Sequence, residues 1–199
     1  MEKIMPDTIS FYNENPIAFI SQTVNADMTE PQNKFLSYIP MDSTILDFGC
    51  GSGRDTKAFL EKGYQVEAVD GSEELCKYAS EYTGILVKHM YFQDLIETEK
   101  YDGIWACASI LHLKKTELIG VFSKMAAALK TNGIIYTSFK YGTFEGERND
   151  RYFTDMTEQS IEELLQEIPN LQIKEQWITK DVRPDRENEQ WLNLILRKK

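Results

Sequence analysis

The chain has 199 residues, 42% of them hydrophobic, and a formal net charge of −10. Its size fits one globular domain with a full core, and its acidic surface disfavours nucleic acid as a partner, because it repels phosphate backbones. Three cysteines without a CxxC pair and only two histidines argue against a disulfide framework or a metal site, so we expect no metal.

The N-terminal region, 1–42, is predicted to be helical. Ser10 is a candidate N-cap, Pro16 interrupts or restarts the helix, and Thr29 with Gln32 forms a predicted capping box. The start of the chain has neither an apolar signal core nor an arginine-rich character, which predicts a cytoplasmic protein. No apolar run approaches the roughly 20 residues that a membrane helix needs, so we expect no membrane partner.

Beyond this region, short apolar runs alternate with helical patterns. The predicted strands lie at 44–48, 65–70, 85–88, 101–110, 134–140, 171–179 and 190–198. The predicted helices lie at 55–62, 73–81, 115–130 and 157–168. Such alternation indicates a parallel sheet with helices on both faces, and the last two strands are close enough in sequence to pair antiparallel. The predicted fold class is α/β: a three-layer sandwich with a seven-stranded, mostly parallel sheet, a terminal antiparallel β-hairpin and an N-terminal helical cap.

The segment "LDFGCGSGRDT" (46–56) places three alternate glycines directly after a strand. Gly49 and Gly51 allow a tight turn whose N–H groups approach a ligand, and the following helix N-terminus adds a partial positive charge. A dinucleotide fingerprint, GxGxxG, requires a further glycine where this chain has Arg54. Asp47 at the strand tip would repel a pyrophosphate and attract an ammonium group. The segment therefore favours an amino-acid-bearing nucleoside over a dinucleotide.

Two further acidic residues follow the next strands. Asp70 ends the second predicted strand in "VEAVDGS", a position suited to accepting the hydroxyls of a ribose. Asp94 lies in "FQDL" after the third strand and is predicted to accept a hydrogen bond from an adenine amino group. Gln93 and Leu95 would then flank the adenine ring.

These motifs, with "YDGIWACASILHL" and "LKTNGIIYTSF", resemble the class I S-adenosylmethionine-dependent methyltransferases over roughly 40–140. The resemblance implies S-adenosylmethionine as methyl donor. It also implies one domain over 1–199, divided into the cap (1–42), a cofactor-binding core (43–140) and an acceptor-side region (141–199). The predicted cofactor-binding residues are Tyr12, Asp47, Gly49, Cys50, Gly51, Arg54, Asp70, Gly71, Ser72, Gln93, Asp94, Leu95, Cys107 and Ala108.

Three of the side chains near the predicted site each have two interpretations. Arg54 pairs either with the methionine carboxylate of the donor or with Asp55 in a surface salt bridge. Tyr12 either closes over the donor or holds the N-terminal helix to the sheet. His112, just past the fourth strand, is a candidate base, but related enzymes often carry histidine here without using it so, and we favour a structural role.

The acceptor is predicted to bind under the N-terminal helices and two loops, 139–157 and 181–191. The candidate acceptor-binding residues are Lys140, Tyr141, Arg148, Arg151 and Arg183. Guanidinium groups suit a carboxylate or phosphate, and aromatic rings suit a planar body, so a small anionic or aromatic metabolite fits. Ordinary solvated charge explains these loops equally well, because acids nearly balance the bases in both.

The sequence thus predicts metal-independent methyl transfer to a small molecule by in-line displacement. A non-catalytic sensor or partner subunit that binds S-adenosylmethionine stays open as an alternative, because it would use the same donor-binding residues. An NAD(P)-dependent oxidoreductase is disfavoured by Arg54 and Asp47. A nucleic-acid methyltransferase is disfavoured by the net charge and by the lack of an NPPY-like tetrapeptide.

Overall fold

A computed structural model describes residues 8–183, 186 and 188–199. Its strands are β1 (Thr44–Phe48), β2 (Gln65–Asp70), β3 (Val87–His89), β4 (Tyr101–Ala106), β5 (Leu129–Lys140), β6 (Glu145–Arg148), β7 (Arg151–Thr154), β8 (Leu171–Lys180) and β9 (Gln190–Lys198). Its helices are α1 (Thr8–Glu14), α2 (Pro16–Thr23), α3 (Thr29–Leu36), α4 (Arg54–Glu61), α5 (Glu73–Thr83), α6 (Lys115–Ala128) and α7 (Glu158–Leu165).

Seven strands form one sheet in the order β3-β2-β1-β4-β5-β9-β8. The first five in that order pair in parallel, and β9 runs antiparallel to both of its neighbours. This confirms the predicted α/β fold with its terminal antiparallel hairpin. The strand order reverses between β1 and β4, so a crevice opens at the carboxyl ends of these strands, where open α/β sheets bind ligands.

Apolar side chains cover both faces of the sheet. On one face, α6 packs through Leu118, Phe122 and Met125, all of them fully buried. On the other face, Trp105 stacks on Tyr136 with ring centroids 3.9 Å apart. The two layers hold the strand ends rigidly at the crevice. Within the described part of the chain, no helix is long and apolar enough to cross a membrane.

The predicted capping box at the start of α3 is wrong. Met28 occupies the N-cap position without a side-chain hydrogen bond, and Thr29 is the first helical residue. Asp27 Oδ1 accepts the Thr29 N–H at 2.9 Å, while the Gln32 amide donates to Asp55 Oδ1 at 2.7 Å. Gln32 thus binds the buried Asp55, distant in sequence, instead of forming the capping box with Thr29.

Ser10, the other candidate cap, lies inside α1 rather than before it, whereas α2 restarts at Pro16 as expected. The segment 145–154, expected to be a loop, contains the β6–β7 hairpin. Its two-residue turn consists of Asn149 and Asp150, with φ of +53° and +59°, the conformation that favours asparagine and aspartate in tight hairpins.

Candidate functional site

A large cavity opens at the carboxyl ends of β1, β2, β4 and β5, with a volume of about 1110 Å³. We call one wall the glycine side: 49–55, 70–71, 90–93 and 107–109. We call the opposite wall the hairpin side: Lys140, Tyr141, the lining residues of the β6–β7 hairpin, and those between 179 and 191. Helix α1 contributes Thr8, Ile9 and Tyr12 at the edge where the two walls meet.

The glycine turn packs against neighbouring elements and also lines the cavity. Gly49 has φ of +85°, and a Cβ there would lie 2.5 Å from Ser109 Cβ. Gly53 has φ of +77°, and its Cβ would lie 2.8 Å from Thr83 Cγ2. Only glycine fits both requirements at these two positions. The turn is therefore fixed by the fold before any ligand arrives.

Asp70 joins this turn to the end of β2. Its Oδ2 accepts the Gly51 N–H at 2.8 Å, and its Oδ1 accepts the Ser72 N–H at 2.9 Å. Burial raises the pKa of Asp70, and the backbone N–H donors partly offset that effect. Each carboxylate oxygen keeps a lone pair for another donor, and Asp70 lies on the cavity wall while Ser72 does not.

Asp47 does not lie on the cavity wall, contrary to the expectation that its carboxylate points into the crevice. It is 2% exposed and accepts the Thr56 Oγ1 hydroxyl at 2.5 Å. Burial and the nearby charge of Asp55 raise its pKa to about 8. The Thr56 hydroxyl, in the first turn of α4, binds this carboxyl group behind the glycine turn.

Arg54 binds Asp55 through two hydrogen bonds, Nε to Oδ1 at 3.0 Å and Nη2 to Oδ2 at 2.7 Å. The pair is buried rather than on the surface, and Asp55 also accepts from Gln32 and from Trp105 Nε1 at 2.7 and 2.9 Å. Although burial alone would raise it, the pKa of Asp55 is lowered by Arg54 and these donors.

The two interpretations of Arg54 are therefore compatible. Besides its bonds to Asp55, Arg54 donates from Nη1 to the Thr23 carbonyl at 3.2 Å and from Nη2 to Cys107 Sγ at 4.0 Å, which leaves one of its five N–H groups, on Nη1, for another acceptor. Arg54 lies on the cavity wall. Asp55 thus orients a guanidinium that still has a donor for a carboxylate.

The "FQDL" segment differs from expectation. Phe92–Asp94 forms a 3₁₀ turn in which Gln93 reaches the cavity wall but Asp94 is exposed and lies off it. Leu95 is 1% exposed and packs in the core beneath α6, so it cannot flank a ring in the cavity. This segment contributes Met90, Tyr91, Phe92 and Gln93 to the cavity wall.

The end of β4 contributes Cys107, Ala108 and Ser109 to the wall. Ala108 has φ of +49°, an uncommon conformation for a residue with a Cβ, and its N–H donates to Ser138 Oγ at 2.9 Å. Ser109 Oγ donates to the Phe48 carbonyl at 2.7 Å. Burial raises the pKa of Cys107 to about 12 and that of Cys50 well above its usual value, so both thiols stay neutral.

Tyr12 and His112 form a hydrogen-bonded pair at the cavity edge. His112 Nδ1 lies 2.7 Å from the Tyr152 carbonyl, which only accepts, so Nδ1 carries the proton and Nε2 accepts from the Tyr12 hydroxyl at 2.8 Å. Burial lowers the pKa of His112 to about 4. The imidazole is neutral with its basic nitrogen occupied, which supports the structural role, while Tyr12 both holds α1 and lines the cavity.

The hairpin side is rich in ion pairs between side chains. Arg148 Nη2 pairs with Asp155 at 2.6 Å. Arg183 Nη2 pairs with Asp181 at 2.6 Å, and Lys140 pairs with Glu189. Arg151 lines the same wall without an ion pair among the described residues. Tyr141, 37% exposed, also reaches the cavity.

Several cavity residues carry no sequence signal for a site. Their sequence patterns are typical of ordinary core or surface positions: Ile9, Phe19, Met90, Tyr91, Phe92, Ser109 and Ser138. Three of them lie within quoted motifs, but none was singled out there as a site residue: Phe92 in "FQDL", Ser109 in "YDGIWACASILHL" and Ser138 in "LKTNGIIYTSF".

The chain is similar to several proteins that are named as methyltransferases. Residues 45–133 match a family model described as a methyltransferase domain. An uncharacterized methyltransferase of Staphylococcus carnosus (strain TM300) is 26% identical over 164 residues, which cover 75% of this chain and 79% of the relative. The inferred methyltransferase YqeM of Bacillus subtilis (strain 168) is 31% identical over 113 residues. That match covers 51% of this chain and 46% of YqeM, so the chain spans less than half of that relative's length.

The fold has solved relatives as well. The 1,6-didemethyltoxoflavin-N1-methyltransferase of Burkholderia thailandensis superposes with a TM-score of 0.75 at 21% identity, covering 96% of this chain and 84% of the other. Its crystal structure contains 1,6-didemethyltoxoflavin and S-adenosylhomocysteine. At this level of identity the superposition shows a shared fold.

Proposed function

Since the chain is a class I S-adenosylmethionine-dependent methyltransferase, we propose that its acceptor is a small molecule, methylated by in-line displacement without a metal ion. The volume and the lining of the cavity support this proposal. Its volume of about 1110 Å³ exceeds the roughly 300–1,000 Å³ of a typical single-ligand pocket. Its two walls also differ in chemistry, which fits a donor on the glycine side and a second small molecule on the hairpin side.

The glycine side supplies the proposed donor contacts. Asp70, with a free lone pair on each oxygen, is suited to the ribose hydroxyls, and Arg54, with a free N–H group on Nη1, is suited to the methionine carboxylate. The proposed donor-binding residues all line the cavity: Tyr12, Gly49, Cys50, Gly51, Arg54, Asp70, Gly71, Gln93, Cys107 and Ala108.

Four of the predicted donor-binding residues do not line the cavity: Asp47, Ser72, Asp94 and Leu95. Asp47 and Ser72 act as positioning residues, Asp47 through Thr56 and Ser72 through its N–H to Asp70. The exposure of Asp94 and the burial of Leu95 do not support direct roles for them at the adenine ring.

S-adenosylmethionine supplies an electrophilic methyl group on a sulfonium, and the chain's task is to align the acceptor and exclude water. Such alignment can lower a barrier by roughly 7–11 kcal/mol. Tyr12 hydrogen-bonds His112 at one cavity edge, so α1 covers the site. A general base is needed only if the acceptor must lose a proton, and His112 is not poised for that task because its Nε2 accepts from Tyr12.

The proposal is tested by calorimetry with S-adenosylhomocysteine, followed by transfer of a labelled methyl group to a small-molecule metabolite extract. Asp70→Asn should weaken S-adenosylhomocysteine binding about 10- to 100-fold, the value of lost charge-assisted hydrogen bonds. Glu67→Gln is the matched control, because Glu67 lies on the same strand and binds Lys100 outside the cavity. Unchanged binding by Asp70→Asn, or label found in no small-molecule fraction, would contradict the proposal.

A further inference from the structure

Arg151, the first residue of β7, is held between aromatic rings at the cavity. Its guanidinium carbon lies 4.4 Å from the Phe11 ring centroid and 5.2 Å from that of Phe153. Nη1 donates to the Tyr12 hydroxyl at 3.3 Å, and Nε is buried without a hydrogen-bond partner. Most of its donors are therefore unused although its orientation is fixed.

Its neighbours on the hairpin side have carboxylate partners. Arg148 binds Asp155 and Arg183 binds Asp181, while Arg186 lies 3.6 Å from Glu189, which also pairs with Lys140. Arg151 has no carboxylate within ion-pair distance in the part of the chain that the structure describes. Its uncompensated charge adds to burial in lowering the pKa of His112.

We propose that the methyl acceptor is an aromatic carboxylate whose carboxylate group binds Arg151. This inference rests on the proposed function and names its substrate class. A guanidinium presents paired N–H groups that match a carboxylate, and the rings of Tyr12 and Phe153, which line the cavity beside Arg151, provide an apolar surface for a planar body. The single charge of this guanidinium, flanked by rings, matches that of an aromatic carboxylate.

The test uses the enzyme saturated with S-adenosylhomocysteine and three probes that share a phenyl ring: benzoate, benzamide and phenyl phosphate. Titrations followed by ligand-observed NMR measure the affinity of each. We expect benzoate to bind at least about tenfold more tightly than neutral benzamide. Arg151→Gln should remove that preference.

Arg197→Gln is the matched control. Arg197 also has a buried Nε without a partner and lies over an aromatic ring, Tyr38, but it does not line the cavity. This variant should keep the preference for benzoate. Affinity for S-adenosylhomocysteine should be the same in both variants, because Arg151 is assigned to the acceptor.

The remaining outcomes overturn the inference in distinguishable ways. Equal or undetectable binding of benzoate and benzamide, or a preference that survives Arg151→Gln, refutes the carboxylate contact and leaves the proposed function intact. Tighter binding of phenyl phosphate than of benzoate would show that the acceptor carries a phosphate group and not a carboxylate. Weakened S-adenosylhomocysteine binding by Arg151→Gln assigns Arg151 to the donor. Failure of the unsubstituted protein to bind S-adenosylhomocysteine refutes the proposed function itself.

Discussion

The two sides of the cavity are built differently. On the glycine side, backbone N–H groups hold Asp70, and four donor groups on three side chains converge on the buried Asp55. On the hairpin side, side chains pair with one another, and partners such as Arg148 and Glu189 remain 35% and 37% exposed. The glycine side is fixed by buried polar groups. The hairpin side combines these partly hydrated ion pairs with one pair, Arg183 with Asp181, that is as buried as Arg54 with Asp55.

The difference has a physical consequence for binding. Buried polar groups that lose a partner cost much more than they contribute when paired, so the glycine side has one stable arrangement. Partly exposed ion pairs contribute about 0–1 kcal/mol each, so the pairs of Arg148 and Glu189 can re-form around a ligand at small cost. In the proposed function, the donor site is therefore preformed and part of the acceptor site is adjustable.

Breaking the Asp55 network should have the largest effect. Asp55→Asn leaves the guanidinium of Arg54 buried without its counter-charge, a change that typically costs about 3–5 kcal/mol. The free energy of unfolding, measured in urea, should fall by that amount. Glu74→Gln, which removes an exposed pair with Lys77, should leave the urea midpoint nearly unchanged. Equal effects of the two variants would show that the glycine side is no more rigid than the surface.

The glycine turn allows backbone strain to be separated from steric exclusion. Gly49 and Gly63 have nearly equal φ, +85° and +88°, but a Cβ at 63 would meet nothing within 4 Å whereas one at 49 would clash with Ser109. Both alanine variants suffer the same unfavourable φ, so we expect Gly49→Ala to lose about 2 kcal/mol more than Gly63→Ala through overpacking. Urea unfolding measures the difference. Similar losses would mean that the turn moves to admit a methyl group.

The sequence predicted the strands and helices of the glycine side because their determinants are local. The strands that end at or next to Asp47 and Asp70 show as short apolar runs. The predictions for Asp47, Asp94 and Leu95 failed in orientation, because a strand end fixes where a residue lies and not which neighbour captures its side chain. Thr56 captures Asp47 in this way.

The hairpin side was predicted only as a list of charges. Its β-hairpin depends on the turn at Asn149 and Asp150, a weaker signal than Asn-Gly, and was missed. Which cation is left unpaired depends on contacts across long sequence separations, such as Arg151 with Tyr12. Composition showed nearly balanced charge in these loops, and it could not show that Arg151 has no ion pair among the described residues.

Acidification should act on the pair between His112 and Tyr12. The pKa of His112 is about 4 in the folded protein against 6.5 normally, so the unfolded chain takes up its proton first as the pH falls. Stability is therefore lost from about pH 6.5 downwards, by about 1.4 kcal/mol between about pH 8 and about pH 5.5. His112→Gln should reduce the pH dependence of unfolding by that amount. An unchanged slope would mean that His112 is more hydrated than the structure indicates.

The smallest expected effect comes from two helix N-caps, Ser72 of α5 next to the glycine side and Thr157 of α7 outside the cavity. Ser72 Oγ accepts from the Leu75 N–H, and Thr157 Oγ1 accepts from the Ser160 N–H, each at 3.2 Å. Either residue changed to alanine should lose about 1 kcal/mol of stability. Ser72 Oγ also donates to Asn13 of α1 at 2.7 Å, so Ser72→Ala should in addition weaken S-adenosylhomocysteine binding severalfold while Thr157→Ala does not. If calorimetry shows equal affinities for the two variants, the bond from Ser72 to α1 does not stabilise the bound state, and the rigidity of the glycine side ends at the sheet.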